Sequence, residues 1–264
     1  MQKKLLGCAV ACLLLSGCGK DDDFPLNDYP INIDVSDGYN IDKIADDVAQ
    51  IAILESDDTA INIDCATITD EISGSNRIRT IDFGASNCTL FTGNQVRGKI
   101  ILTFETDFGA STRNISFAFE NFFHNNRYVL GNRDVTKTTL ENGHPQVKIN
   151  LNMIVTGPTG TTFTRIGERT REFTAGFDTP GNVLDDSYLT TGSWSTTISV
   201  TKMTSIAQIE SPITVTADCD YISSGLISYT REDGEYLSFD YGDGTCDNKV
   251  LFTLNGITSE AIIP

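Results

Sequence analysis

Val147, Ile149, Leu151, Met153 and Val155 alternate with Gln146, Lys148, Asn150 and Asn152, and this two-residue period constrains the fold more than any other feature. Side chains on a β-strand point to opposite faces in turn, so clean alternation describes a strand with one face buried and one wet. The same period runs through Ile115, Phe117 and Phe119, and through Trp194, Thr196, Ile198 and Val200. Turn residues punctuate these runs at Asp107-Phe108-Gly109, Glu141-Asn142-Gly143, Gly157-Pro158-Thr159-Gly160 and Thr179-Pro180-Gly181-Asn182. The pattern predicts an all-β fold, an antiparallel meander of about a dozen strands. A sandwich and a strongly curved open sheet satisfy it equally.

One segment breaks the period. Ile41, Ile44, Ala45, Val48, Ile51 and Ala52 recur at helical spacing, with Asp42, Asp46 and Asp47 on other faces. Acids near the first turn suit the positive end of a helix dipole. An amphipathic N-terminal helix packed on the sheet is expected over 41–52.

The cysteines repeat a motif. Asp64-Cys65 precedes Asp82-Phe83-Gly84-Ala85-Ser86-Asn87-Cys88, and Asp218-Cys219 precedes Asp240-Tyr241-Gly242-Asp243-Gly244-Thr245-Cys246. An apolar strand-like run follows each, Lys99 to Phe104 and Lys249 to Leu254. Four cysteines allow three pairings. The repeated order favours a duplicated β unit with local pairs Cys65–Cys88 and Cys219–Cys246. Metal binding by the four is the alternative, but no C-x-x-C pair occurs among them.

The N-terminus carries the address. Lys3 and Lys4 precede an apolar stretch from Leu5 to Leu15, too short to span a bilayer. Leu15-Ser16-Gly17-Cys18 follows and resembles a bacterial lipobox, which implies removal of residues 1–17 and acylation of Cys18. Gly19-Lys20-Asp21-Asp22-Asp23 resembles an export signal of surface lipoproteins. Residues 18–30 then form an acylated flexible tether, and 31–264 a single all-β domain. Two or more acyl chains suffice for stable anchoring, where one is marginal.

Removing Lys3 and Lys4 from the 19 basic residues, against 36 acidic, takes the formal charge from −17 to −19. Such a chain has no electrostatic footprint for nucleic acid. Yet Val96 to Arg171 holds ten Lys/Arg against six Asp/Glu. Cross-strand pairing with acidic flanking strands explains this excess. A basic patch for an anionic glycan or partner is the sharper reading.

Catalytic motifs are scarce. Gly93-Asn94-Gln95-Val96-Arg97-Gly98-Lys99-Ile100 nearly spells a P-loop, but Ile100 stands where the Mg²⁺-binding hydroxyl belongs and a strand follows instead of a helix. Neither His124 nor His144 lies in a zinc-protease motif, and no G-x-S-x-G elbow occurs. His144, beside Pro145, reads as a solvated loop histidine. Asp240, Asp243 and Asp247 on a Gly-rich turn are candidate Ca²⁺ ligands, without the EF-hand spacing. No other cofactor is expected. Asp58-Thr59-Ala60 resembles a short O-glycosylation sequon.

Arg97 to Phe104, Phe119-Glu120-Asn121-Phe122-Phe123, Thr164 to Phe173, and Asp240-Tyr241-Gly242 to Asn248 occur in an order that resembles uncharacterised outer-membrane and surface lipoproteins of Flavobacteria and related Bacteroidota. The resemblance implies an outer-membrane lipoprotein and carries no catalytic residue. The expectation is a lipid-anchored, surface-exposed, non-enzymatic binding or structural module. Its partners are the membrane, through the anchor, and a glycan or envelope protein. The alternative is an open β-sheet carrier of a lipid or other apolar ligand, with the 41–52 helix as lid.

Overall fold

In a computed structural model, the described residues are 32–56 (32–39 as helical backbone), 63, 65–90, 93–179, 185–219 and 221–262. Helix α1 (Asn32–Glu55) precedes β1 (Thr67–Ser73), β2 (Asn76–Asp82), β3 (Cys88–Thr89), β4 (Gln95–Glu105) and β5 (Thr112–His124). Then come β6 (Arg127–Leu130), β7 (Asn132–Thr139), β8 (Pro145–Asn150), β9 (Met153–Thr156), β10 (Thr162–Ala175) and β11 (Ser187–Ile198). The chain continues through β12 (Thr204–Thr216), β13 (Ser224–Arg231), β14 (Tyr236–Asp243), β15 (Lys249–Leu254) and β16 (Ile257–Ile262).

All sixteen strands belong to one antiparallel sheet, so the open sheet replaces the sandwich. The count exceeds a dozen partly because long strands are broken. β6 and β7 continue one line across Gly131, and β8 and β9 another across Leu151 and Asn152. Most pairings join consecutive strands, the exceptions being β2–β4, β5–β7, β6–β9 and β8–β10, and β1 and β16 form the two edges.

The sheet curls around the helix. Glu55 meets Arg79 on β2, while the Asp42 carboxylate acts on the phenols of Tyr229 on β13 and Tyr241 on β14. From β2 to β14 the sheet takes nine steps, about 43 Å if laid flat. Asp42 and Glu55 lie only about 20 Å apart along the helix axis. A flat sheet cannot reach both ends, so the strands wrap into a trough.

Burial follows from that shape. Ile41, Ile44, Ala45, Val48 and Ala52 are each at most 1% exposed. They pack with the inward side chains of the sheet, among them Ile100, Leu102, Ile115, Phe117, Val135 and Ile149. Each fully buried aliphatic side chain contributes about 1.5–3 kcal/mol. The helix begins earlier than the periodicity of 41–52 indicates. Its acidic faces are also not simply wet, because the trough reaches them from both sides.

Both disulfides are the local ones, Cys65–Cys88 and Cys219–Cys246, with Cα atoms 5.7 and 5.8 Å apart. Each staples a hairpin, β1–β2 or β13–β14, and a third antiparallel strand follows, β4 or β15. The repeated Asp-aromatic-Gly also has one structural job in both copies. Asp82 accepts a hydrogen bond from the Gly84 amide at 2.8 Å, and Asp240 from the Gly242 amide at 3.0 Å. Both glycines have positive φ, +77° and +89°. Such a turn needs a short acceptor and then a residue free to go left-handed.

Candidate functional site

Two places concentrate polar chemistry: the inner trough under α1 and an outer groove beside β4. Inside, β10 presents Arg165, Arg169 and Arg171 in phase with Phe163 and Phe173, all on the helix side. Arg165 and Arg169 both donate to the Asp42 carboxylate. Arg169 Nη1 also donates to Asp46 at 3.2 Å, and Arg171 lies 3.6 Å from the same carboxylate. Trp194 supplies a ring beneath, with the Arg169 guanidinium 4.1 Å from its centroid. Lost hydration pulls the Arg169 guanidinium down, but Asp42 and Asp46 outweigh it and hold it above its ordinary value.

The far end of the helix is gripped likewise. Arg79 donates to the Glu55 backbone carbonyl at 2.6 Å and makes a two-bond fork with Asp70 at 2.7 and 2.8 Å. Arg113 donates to the Ser56 carbonyl at 3.0 Å. These bonds satisfy carbonyls that a helix C-terminus leaves without intrahelical partners. Burial raises the Glu55 carboxyl despite the Arg79 charge, while the Arg79 hydrogen bond holds Asp70 below the usual range.

Arg133 differs from its neighbours. It is 1% exposed, its Nε donates to the Asn150 carbonyl at 3.2 Å, and Nη1 and Nη2 have no hydrogen-bond partner. Its guanidinium lies 5.5 Å from the Phe117 ring centroid. Burial pushes its pKa down to about 9, with Arg169 and Arg165 adding to the fall and Asp46 opposing it.

The outer groove is built on a bulge. Arg97 pairs with Phe123 and Lys99 with Glu120, leaving Gly98 opposite Asn121 and Phe122. A Cβ at Gly98 would sit 2.1 Å from the Asn121 carbonyl oxygen, so only glycine fits. The groove encloses about 440 Å³ and is lined by Asp82, Gly84, Ala85, Arg97, Gly98, Lys99, Glu120, Asn121 and Phe123. The Arg97 guanidinium lies over Phe123, 3.9 Å from the ring centroid, and Tyr128 packs on that ring at 5.0 Å. Arg97 Nη1 donates to Asn87 Oδ1 and Asn126 Oδ1, both at 3.0 Å.

The central basic excess is therefore divided. Arg165, Arg169 and Arg171 pair with acids of the helix rather than of flanking strands. Cross-strand pairing does occur at Lys148–Glu168, 2.8 Å, and at Lys99–Glu120, 3.4 Å.

The sequence candidates fare unevenly. Cys18, the tether and Asp58-Thr59-Ala60 lie outside the described residues. The stretch resembling a P-loop becomes strand β4 from Gln95 onward. His124 is buried, and its Nε2 lies 2.8 Å from the Asp47 carboxylate, which also accepts from Asn94 at 2.7 Å. His144 is no free loop residue either: its Nδ1 lies 2.8 Å from Glu172, and its ring packs on Phe177. Asp240, Asp243 and Asp247 each turn back on their own loop, accepting from Gly242, Thr245 and Lys249. Among the described residues no group of three or more metal-ligating side chains converges.

The buried arginines had a signal in the sequence, since Arg165, Arg169 and Arg171 share the parity of Phe163 and Phe173. Asn87 and Asn126, which accept from Arg97, and Asn121 at the bulge had none, because separate segments place them. No protein-family model, curated protein or solved structure matches the chain.

Proposed function

We propose that this chain is a lipid-anchored module of the bacterial envelope, acylated at Cys18, that binds a partner through the outer face of its curved sheet. The observation behind this reading is the occupied trough. Helix α1 fills the concave side, and its acids are bonded to Arg79, Arg165 and Arg169. A carrier would need that side for its cargo. Releasing the helix would strip counter-charges from buried guanidinium groups, which costs about 3–5 kcal/mol for one broken pair. Recognition on the outer face leaves the helix where it is.

The lipobox-like Leu15-Ser16-Gly17-Cys18 and the acidic residues after it support the anchor and surface display. The resemblance to surface lipoproteins of Flavobacteria points the same way. The binding role is non-enzymatic in this reading, supported by a sequence without a nucleophile elbow, a complete P-loop or a zinc-protease motif.

Cys18→Ser is the test of the anchor. Soluble release or accumulation of uncleaved precursor is expected, and unchanged membrane fractionation would sink the lipid claim. Affinity capture from native envelopes tests binding. Recovery of no envelope component would remove the module reading in favour of a purely structural role.

A further inference from the structure

Arg97 is a half-exposed cation at the groove. Among the described residues it has no carboxylate partner, although the chain carries 36 acids against 19 basic residues. Its position is nonetheless fixed from three sides, by the Phe123 ring, Asn87 Oδ1 and Asn126 Oδ1. The Asn87 amide is itself held by Gln95 at 2.8 Å, so the support extends beyond the immediate contact. Both bonds use Nη1, and among the described residues Nη2 and Nε donate to no protein acceptor. Holding a guanidinium in place without a counter-ion readies its two-donor edge for a planar anion.

The two groove carboxylates do not take that role. Lys99 Nζ lies 3.4 Å from Glu120 and 3.7 Å from Asp82, and Asp82 also accepts from the Gly84 amide. Lys99 thus draws both carboxylates to itself, and Arg97 offsets the one negative charge that the trio leaves over. The remaining wall offers polar and flat surface: Gly84, Ala85 and Gly98 have little or no side chain, and the Asn121 amide is exposed. The Phe123 ring and Ala85 add apolar surface on which the face of a sugar ring can lie. The volume of about 440 Å³ lies in the range of small-molecule sites.

We infer that the groove beside β4 is a binding site for an acidic saccharide, whose carboxylate is received by Arg97 and whose ring hydroxyls meet Asn121, Glu120 and Lys99. This deepens the proposed function and rests on it. A uronic acid unit matches the arrangement: one planar carboxylate at the guanidinium and a polyol ring over the glycine floor. The acidity of the rest of the chain opposes it weakly at physiological salt, because charges beyond about 8 Å are screened.

The test uses full-length protein in detergent micelles and isothermal titration with disaccharides of galacturonate, glucuronate and mannuronate. Matched neutral disaccharides, inorganic sulfate and inorganic phosphate are the comparisons. Saturable binding of at least one uronate is expected, with neutral sugars at least tenfold weaker. Arg97→Met should weaken it at least tenfold. Arg97→Lys should restore only part, since it keeps the charge but loses the fork. Asn121→Ala should weaken it several-fold, and circular dichroism should report intact folding in each variant. Equal binding of neutral sugars, tighter binding of sulfate or phosphate, no uronate binding at 10 mM, or indifference to Arg97→Met would each overturn the assignment. If an envelope component is captured equally by wild type and Arg97→Met, the groove assignment falls while the module reading stands.

Discussion

Asp42 on α1 and Arg169 on β10 are 127 residues apart in sequence, yet the carboxylate of one accepts a hydrogen bond from the guanidinium of the other. Arg165, four residues earlier on the same strand, donates to the same carboxylate oxygen. Backbone pairing in the sheet is mostly local, between consecutive strands or strands one or two elements further on. The helix is thus held by side-chain contacts that cross much of the chain, and its docking depends on a few named groups.

Asp42→Asn should be costly. The amide keeps the shape but leaves two buried guanidinium groups without their shared counter-charge. A loss of about 3 kcal/mol is expected, at the lower end for a broken buried pair because Asp42 is partly open to water. Urea unfolding checks it, and an unchanged midpoint would mean that Asp42 does not hold the helix.

Arg133→Met should behave oppositely. Nη1 and Nη2 have no partners and burial already disfavours the charge. A methionine, whose chain ends where arginine has Nε, removes the buried charge and leaves one carbonyl, that of Asn150, without its donor. The urea midpoint should rise or stay level. A loss above about 2 kcal/mol would reveal a compensating interaction at Arg133.

Glu55 and Asp70 both touch Arg79 but respond to pH in opposite senses. Glu55 titrates higher in the folded protein, so its contribution is present below its ordinary 4.5 and is lost as pH rises through the folded value. Asp70 titrates lower, so its contribution is present above its ordinary 3.8 and is lost as pH falls through the folded value. Melting temperatures between pH 2.5 and 8 should show Glu55→Gln gaining on wild type above pH 4.5. Asp70→Asn should flatten the acid limb. Parallel curves for wild type and both variants would contradict this assignment.

Replacing Cys219 and Cys246 together with serine should cost about 3 kcal/mol, given a loop closed over 27 residues. Replacing Cys65 and Cys88, separated by 23, should cost about the same. Peptide mapping without reductant provides a direct check on the pairing. A crosslink between the first two cysteines and the last two would contradict it.

The alternation of Val147 to Val155 is enough to read the sheet, because a half-buried strand writes its two faces into successive residues. The disulfide pairs are legible for a different reason, the repeated Asp-aromatic-Gly. The curl is not, since it is the sum of many small twists and of bulges such as that at Gly98. Periodicity places Asp42 and Asp46 on faces other than the apolar one and names no partner for them, because it describes one helix against one plane. A trough meets the helix on several sides and gives its acids partners. Arg97 is visible as a residue, but its fixing by Asn87 and Asn126 requires three separate segments to meet.

The grip of β10 on α1 also sets how the molecule bears load. A pull on the N-terminal segment reaches the first helix before any strand, and through Asp42 it arrives at Arg165 and Arg169 in the middle of the meander. There it must slide the helix across several strands at once, a shearing geometry in which many contacts resist together. A pull from the C-terminal end instead meets β16 alone, and can peel it from β15 one hydrogen-bonded pair at a time. One end of the described fold is thus tied in by side chains reaching its middle, the other by a single row of paired backbone.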